Sequence, residues 1–559
     1  MRAAIAVALL AASCGKDPVP APAFTQAPAP IQAPAPAPAP EPVSNPPLAP
    51  RPADEAGRLR GLLRLLEWGD PGMVEFAGET LSAFPDPKAA AEVLSAAGRE
   101  NAKKNIGLVQ NILSSIRDGH LGAPMAPFLV ECSESGDPLV RRMAVLQYAQ
   151  SVEGPDLALL ARVGTTPWSQ AAQAAFQALE IHRGPAAAAA LREVFPKIGP
   201  GARPAAANAL GRLGDPESIP LLRSLLEEGR ETGDAGFSLR IGAAQGLARL
   251  GVEEGLSELR AYALALPLDQ AAVPLDFPPA EWEGPEAVLS AAGDTLLKGR
   301  LLLQARRGSA AAAAAAVRVL TIRYAQDGEI AGAVAAAFDR PDADFVLVAE
   351  ALDSFHAANP AAGTARALAT LENPVEERRY GAALALARWK DPETIPALAA
   401  RLKGDPVLAV RRKCCDALGV IGDPAGAPAL VEFLAAETAP TPDRALVAMT
   451  ARSNLRGAMA DAAAEALAGL AGGKGSSAIR FNAALALGKA RNSPKARAAL
   501  EAMLRDPDPY LRTAAADALG SLGDAAARAA LAAAYEAEAD GDAASAQREA
   551  VLRLDLRNP

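Results

Sequence analysis

From about Glu55 almost to the C-terminus, apolar residues recur three and four positions apart, the spacing that puts side chains on one face of an α-helix. The apolar stretches are short, and Asp-Pro and Gly-Asp pairs interrupt them at regular intervals. The stretch DPVLAVRRKCCDALGVIGDPAGAPAL from Asp405 matches NPVEERRYGAALALARWKDPETIPAL from Asn373 position by position, an offset of 32 residues. A repeat of that length is the period of a helix–turn–helix unit. A chain that writes such a unit many times predicts an all-α solenoid, in which each pair of helices buries its apolar face only by stacking on the next.

The clearest units share a grammar. An Asp-Pro turn opens the second helix at Asp405-Pro406, Asp506-Pro507 and, less regularly, Asp137-Pro138. Arginine follows six residues after the opening position in Arg411 and Arg512, with equivalents at Arg203, Arg240, Arg379 and Arg480. Seven residues further on stands leucine, at Leu210, Leu247, Leu386, Leu418, Leu487 and Leu519. Gly214-Asp215, Gly422-Asp423 and Gly523-Asp524 close their units, the glycine suited to a left-handed C-terminal cap and the aspartate to capping the helix that follows.

These residues resemble the HEAT repeat family, specifically the short type also found in phycobilisome bilin lyases. The motif fits about six units closely, and weaker helical matches carry it over most of Glu55 to Leu554. The resemblance implies right-handed stacking of two-helix repeats into a superhelix of roughly twelve pairs. It also implies that Arg203, Arg240, Arg379, Arg411, Arg480 and Arg512 form, with aspartates, a structural ladder between neighbouring units.

The first 54 residues read differently. Met1-Arg2, the apolar run Ala3 to Ala12 and the small residues before Cys14 resemble a bacterial lipoprotein signal. That resemblance implies cleavage before Cys14 and lipid on its thiol, hence an exported chain anchored to a bacterial membrane at its periplasmic face or the cell surface. Residues 14–54 are dominated by proline and alanine, including APAPAPAPEP at Ala33 to Pro42, a composition that favours polyproline II and resists packing. We read them as a disordered tether, stiff or merely flexible, between the lipid and a folded body. No later segment has the roughly 18 uninterrupted apolar residues of a membrane span. The folded body divides into an N-terminal array at 55–265, a proline-rich interrupting loop at 266–286 and a C-terminal array at 287–559. Phe277 and Trp282 in the loop either cover a face between the arrays or anchor a partner.

Composition narrows the chemistry. Aromatic residues make up only 4% of the chain while alanine is abundant, so helix contacts are made by small side chains. The formal charge of −9 opposes binding to a phosphate backbone, which argues against nucleic acid. His120, His182 and His356 are the only histidines, and none has a second histidine or cysteine at metal-ligand spacing, so no metal site is expected. Around Lys474 the glycine cluster AGLAGGKGSS has Gly475 where a phosphate-binding loop needs serine or threonine, and it reads as an inter-helix loop. Apart from Cys14, the cysteines Cys132, Cys414 and Cys415 are odd in number, and Cys415 takes the small-residue position of Ala207, Ala383 and Ala516, which points to buried packing. We therefore expect no cofactor and no enzymatic activity.

If second helices line the concave surface, as the resemblance implies, the positions one and five after each ladder arginine share a helical stripe. These are Ile241/Gln245, Tyr380/Leu384, Arg412/Asp416, Phe481/Leu485 and Thr513/Asp517. Apolar members of the stripe either pack on neighbouring repeats or serve a partner. We place the recognition surface on this stripe, at Tyr380, Leu384, Arg412, Asp416, Phe481, Leu485 and Asp517, with the aromatic members as anchors and Arg412 as the polar contact. Three functions are compatible with these features: a membrane-tethered scaffold for a protein or peptide, a lyase-like or chromophore-attachment factor, and a mechanical element of the cell envelope.

Overall fold

The computed structural model describes residues 45–69, 71–116, 119–167, 169–270, 285–436, 441–491 and 493–557. Residues 45–559 form one compact unit. The lipidation position Cys14, most of the tether, and Phe277 and Trp282 lie outside the described residues.

Among the described residues the regular elements are thirty-one α-helices and short 3-10 turns. Gly119–Gly122 and Ala126–Ser133 together act as one first helix, so the elements pair off into fifteen helix pairs rather than about twelve. Four complete pairs lie before Arg203, where no second helix sets a leucine seven residues after its arginine, although Arg141 still donates to the Ser135 carbonyl six residues back at 3.0 and 2.6 Å.

The turn chemistry explains where the helices break. Gly214, Gly422 and Gly523 close the second helices Arg203–Leu213, Leu408–Ile421 and Pro509–Leu522 with φ of 78°, 74° and 75°, a conformation that costs glycine no Cβ clash. The next residue in each case, Asp215, Asp423 or Asp524, accepts a hydrogen bond from a backbone N–H at the start of a 3-10 turn. That turn then leads into the first helix of the following pair. Asp405 stands two residues ahead of its helix cap and accepts from the Val407 amide at 2.9 Å, a local turn that sets the entry angle of the second helix.

Packing is almost wholly between neighbours in sequence. Along most of the array second helices lie closely side by side, whereas first helices touch one another less, so the second helices occupy the inner curve. Leu210, Leu247, Leu386, Leu418, Leu487 and Leu519 are all buried in this core. Cys414 and Cys415 are buried beside Leu418, and desolvation pushes both thiols, like that of Cys132, up to about 12, leaving them unreactive at neutral pH.

The interrupting loop does not break the stack. Helices Glu253–Ala265, Pro285–Ala291 and Thr295–Arg307 pack in order across it. Arg300 donates to the carbonyls of Leu266 and Pro267 at 2.8 and 2.9 Å, and Gln304 donates to those of Leu268 and Gln270 at 3.1 and 2.8 Å. The two arrays are therefore one continuous array.

The array also returns on itself. The last helix, Gly541–Arg557, packs against the first two, Glu55–Trp68 and Pro71–Ser82. Buried Arg58 donates through Nε and Nη2 to the Leu556 carbonyl at 3.2 and 3.0 Å. Opposite, the Leu556 side chain fills the space where Gly61 has no Cβ, a built Cβ there falling 2.6 Å from Leu556 Cδ2. The Arg557 guanidinium sits 5.1 Å from the centre of the Phe76 ring. Residues 45–54, which composition assigned to the tether, are seated along this seam.

Candidate functional site

Two sets of side chains organise the second helices and leave a stripe between them. The first set contains the arginines near the helix N-termini. Buried Arg379 donates to both oxygens of buried Asp405 in the next unit, at 2.7 and 3.0 Å, and to the Asn373 and Pro374 carbonyls of its own turn. Arg411 completes the step by donating to the Asp405 carbonyl at 2.7 Å. Arg480 pairs with Asp506, and Arg512 pairs with Glu538 at 2.8 and 2.6 Å while donating to the Asp506 carbonyl. Arg203 reaches Glu228 at 2.6 and 2.9 Å, and Arg240 reaches Glu258 at 3.1 Å. Burial works to raise the Asp405 pKa, but the guanidinium of Arg379 and the Val407 amide outweigh it and hold the carboxyl below its ordinary value.

The second set was missed from the sequence. Nine residues after a ladder arginine, Arg212, Arg249, Arg388 and Lys489 reach back to the preceding unit. Their acceptors are Glu180 at 3.1 Å, Asn208 at 3.2 Å, Glu350 at 2.9 Å and the Arg452 carbonyl at 2.8 Å. Their spacing places them one further helical turn along from the stripe position at five. Burial, then the neighbouring Arg452 and Arg456, lowers the Lys489 pKa to about 8.

The richest polar cluster surrounds Arg388, which bridges Glu350 and Asp353. The Trp389 indole N–H donates to Asp353 at 2.7 Å, and the His356 ring stacks on Trp389 with centroids 4.0 Å apart. Desolvation raises the pKa of both carboxyls despite Arg388. These groups satisfy one another across a repeat boundary.

Between the two sets lie the stripe residues. Tyr380 meets Phe345 edge-on with centroids 4.9 Å apart, and the Lys413 ammonium lies 5.2 Å from its ring centre. Phe481 stacks on Tyr510 at 4.2 Å, and Tyr510 is itself 52% exposed. Arg412 donates to the Thr450 hydroxyl at 3.2 Å, and Asp416 accepts from Asn454 at 2.9 Å while Lys413 lies 3.7 Å away. Leu384, Leu485 and Asp517 are half-buried on the same face, as are Ile241 and Thr513, whereas Gln245 is buried. The aromatic members thus pack on the next or preceding repeat and still present an edge. Among the described residues no group of acidic, histidine or cysteine side chains could hold a metal ion. No described helix is long and apolar enough to cross a membrane.

A stack of helix pairs with an inter-unit ladder and a continuous inner stripe defines an α-solenoid of the helical-repeat class. Within that class the chain carries HEAT repeats over part of its length: the model of HEAT repeats matches residues 364–452 and 457–551, and that of the PBS lyase HEAT-like repeat matches 202–228. No curated protein matches the chain. Among solved structures it is similar to the CpcE–CpcF complex of phycocyanin lyase from Nostoc sp. PCC7120, with 22% identity over 40% of this chain and 94% of that one and a TM-score of 0.24. It is also similar to human deoxyhypusine hydroxylase in complex with glycerol, with 21% identity over 48% of this chain and 99% of that one and a TM-score of 0.19. Kap121p bound to Pho4p overlaps 84% of this chain and 54% of its own at 13% identity and a TM-score of 0.29. At these scores the superpositions carry no argument about activity.

Proposed function

We propose that this HEAT-repeat protein is a non-enzymatic scaffold, exported and tethered to a bacterial membrane through lipid on Cys14, that holds a protein or peptide partner against its inner stripe. The observation that carries this reading is the stripe itself. Successive second helices set Tyr380, Leu384, Arg412, Asp416, Phe481, Leu485 and Asp517 side by side on one face, each partly open after packing is satisfied. Half-buried aromatic edges flanked by fixed charges suit recognition of a polypeptide, where a few anchors supply most of the affinity. The buried polar clusters are closed by their own hydrogen bonds, an arrangement that suits rigidity better than acid–base chemistry.

The test is cross-linking in intact cells followed by purification from solubilised membranes, comparing the native chain with Cys14→Ser and with Tyr380→Ala/Phe481→Ala. The expected result is one dominant protein partner, depleted by the double substitution, with the chain released from the membrane by Cys14→Ser. Recovery of a pigment in place of a protein would favour the chromophore-attachment role that the lyase-type repeat at 202–228 brings to mind. Unchanged partner recovery with the double variant would move the binding surface off the stripe.

A further inference from the structure

The seam that joins the first and last helix pairs is bridged by a segment of unusual composition, Asn45-Pro46-Pro47-Leu48-Ala49-Pro50-Arg51-Pro52. Four prolines in eight residues fix φ near −65° and remove backbone donors, so the segment is pre-organised as an extended strand whose carbonyls remain free to accept. It is read by groups from the far end of the chain. Buried Tyr535, in the helix Arg528–Ala537, donates its hydroxyl to the Pro46 carbonyl at 2.7 Å. The Asn45 amide donates to the Tyr535 and Glu538 carbonyls, both at 2.7 Å. Leu48 packs on the core, and half-exposed Arg51 lies 3.9 Å from Asp555, whose two oxygens accept from Arg528 at 2.5 and 2.9 Å. An open cleft of about 660 Å³ lies between the segment, whose residues from Leu48 to Pro52 form one wall, and the helix residues Arg60, Arg64, Leu65, Val551 and Leu552.

We propose that this groove is a binding site for proline-rich extended peptides, occupied in cis by Asn45–Pro52. A tyrosine hydroxyl on a proline carbonyl, two backbone carbonyls for the asparagine amide and an apolar slot for the leucine are the parts such recognition requires, and the stiffness of the ligand lowers the entropy lost on docking. A peptide of the same chemistry from another molecule would use the same contacts. The cis segment outcompetes it because direct connection to the first helix gives it an effective concentration of order millimolar. The site is independent of the inner stripe and of the membrane anchor.

The experiment uses the full chain and a fluorescein-labelled synthetic peptide of residues 45–53, followed by fluorescence anisotropy. In Asn45→Ala/Leu48→Asp the cis segment is released, and the labelled peptide should bind at least about tenfold tighter than to the native chain. Adding Tyr535→Phe to that variant should remove about fivefold of the gain, and a peptide with its prolines replaced by alanine should bind no better than background. Equal binding by the native and released chains, or binding indifferent to Tyr535→Phe, would overturn the proposal. The milder Asn45→Ala guards against misfolding. Loss of helical circular dichroism in both variants would also overturn it, because the segment would then be a permanent part of the core and not a displaceable ligand.

Discussion

At the scale of single residues, the array depends on charges placed where water does not reach. Arg379 and Asp405 are both buried, and removing one partner strands the other. Arg379→Ala is therefore expected to destabilise its unit by about 3–5 kcal/mol, read by urea denaturation, whereas the same change at exposed Arg60 should fall within about 0.5 kcal/mol. The pH dependence follows from the same groups. Burial opposes the charge of Asp405 and Glu538, yet their arginine partners win and both pKa values are lowered on folding. Their contribution is thus complete above the ordinary carboxylate value of about 4 and is lost as pH falls through the lowered value. Thermal midpoints should drop on acidification below that point, and Asp405→Asn should flatten the drop; an unchanged acid limb in Asp405→Asn would show that the ladder does not control it. This layer was legible in the sequence because an arginine six residues after each turn and a leucine seven beyond it recur on a fixed period. The backward-reaching Arg212, Arg249, Arg388 and Lys489 were hidden because their acceptors differ from unit to unit, two carboxylates, an amide and a backbone carbonyl.

Between elements, close approach replaces side-chain bulk. The helices Arg203–Leu213 and Phe237–Arg249 touch through glycine, and a Cβ built on Gly211 would lie 2.4 Å from the Gly246 Cα, a backbone atom that cannot give way. Gly211→Val is expected to cost at least the roughly 1–3 kcal/mol of core overpacking. Hydrogen exchange should show the loss confined to these two helices and their immediate neighbours, as a nearest-neighbour array requires. Uniform loss of protection from Glu55 to Arg557 would instead mean that the array melts as one unit. The scarcity of aromatics foretold such contacts in general. It did not count the elements, since the second helices before Arg203 keep the apolar period without the paired arginine and leucine that mark a unit. Nor could it say that the proline-rich residues from Asn45 onward would be held against the folded body, because the groups that hold them, Tyr535 and Glu538, are almost five hundred positions away.

For the whole molecule the decisive fact is closure, which no local pattern encodes. It is the sum of small rotations over the fifteen described pairs, and an error of a few degrees per unit would leave the ends apart. The seam is narrower than the interfaces inside the array, so it is the first place to open. Leu556→Asp, which puts a charge into the space beside Gly61, should increase the radius of gyration seen by small-angle scattering while leaving helical circular dichroism nearly intact. An unchanged radius would mean that closure survives without the Leu556 contact. Linear repeat arrays need specialised polar units at both ends, because a terminal repeat otherwise leaves an apolar face in water. Here each end serves as the other's cap, so no repeat is intrinsically first or last. The order in which the gene writes them becomes largely arbitrary: a circular permutant joining Arg557 to Asn45 through a short linker, with new ends cut at the exposed turn near Gly136, should fold to the same helical content and a similar melting temperature.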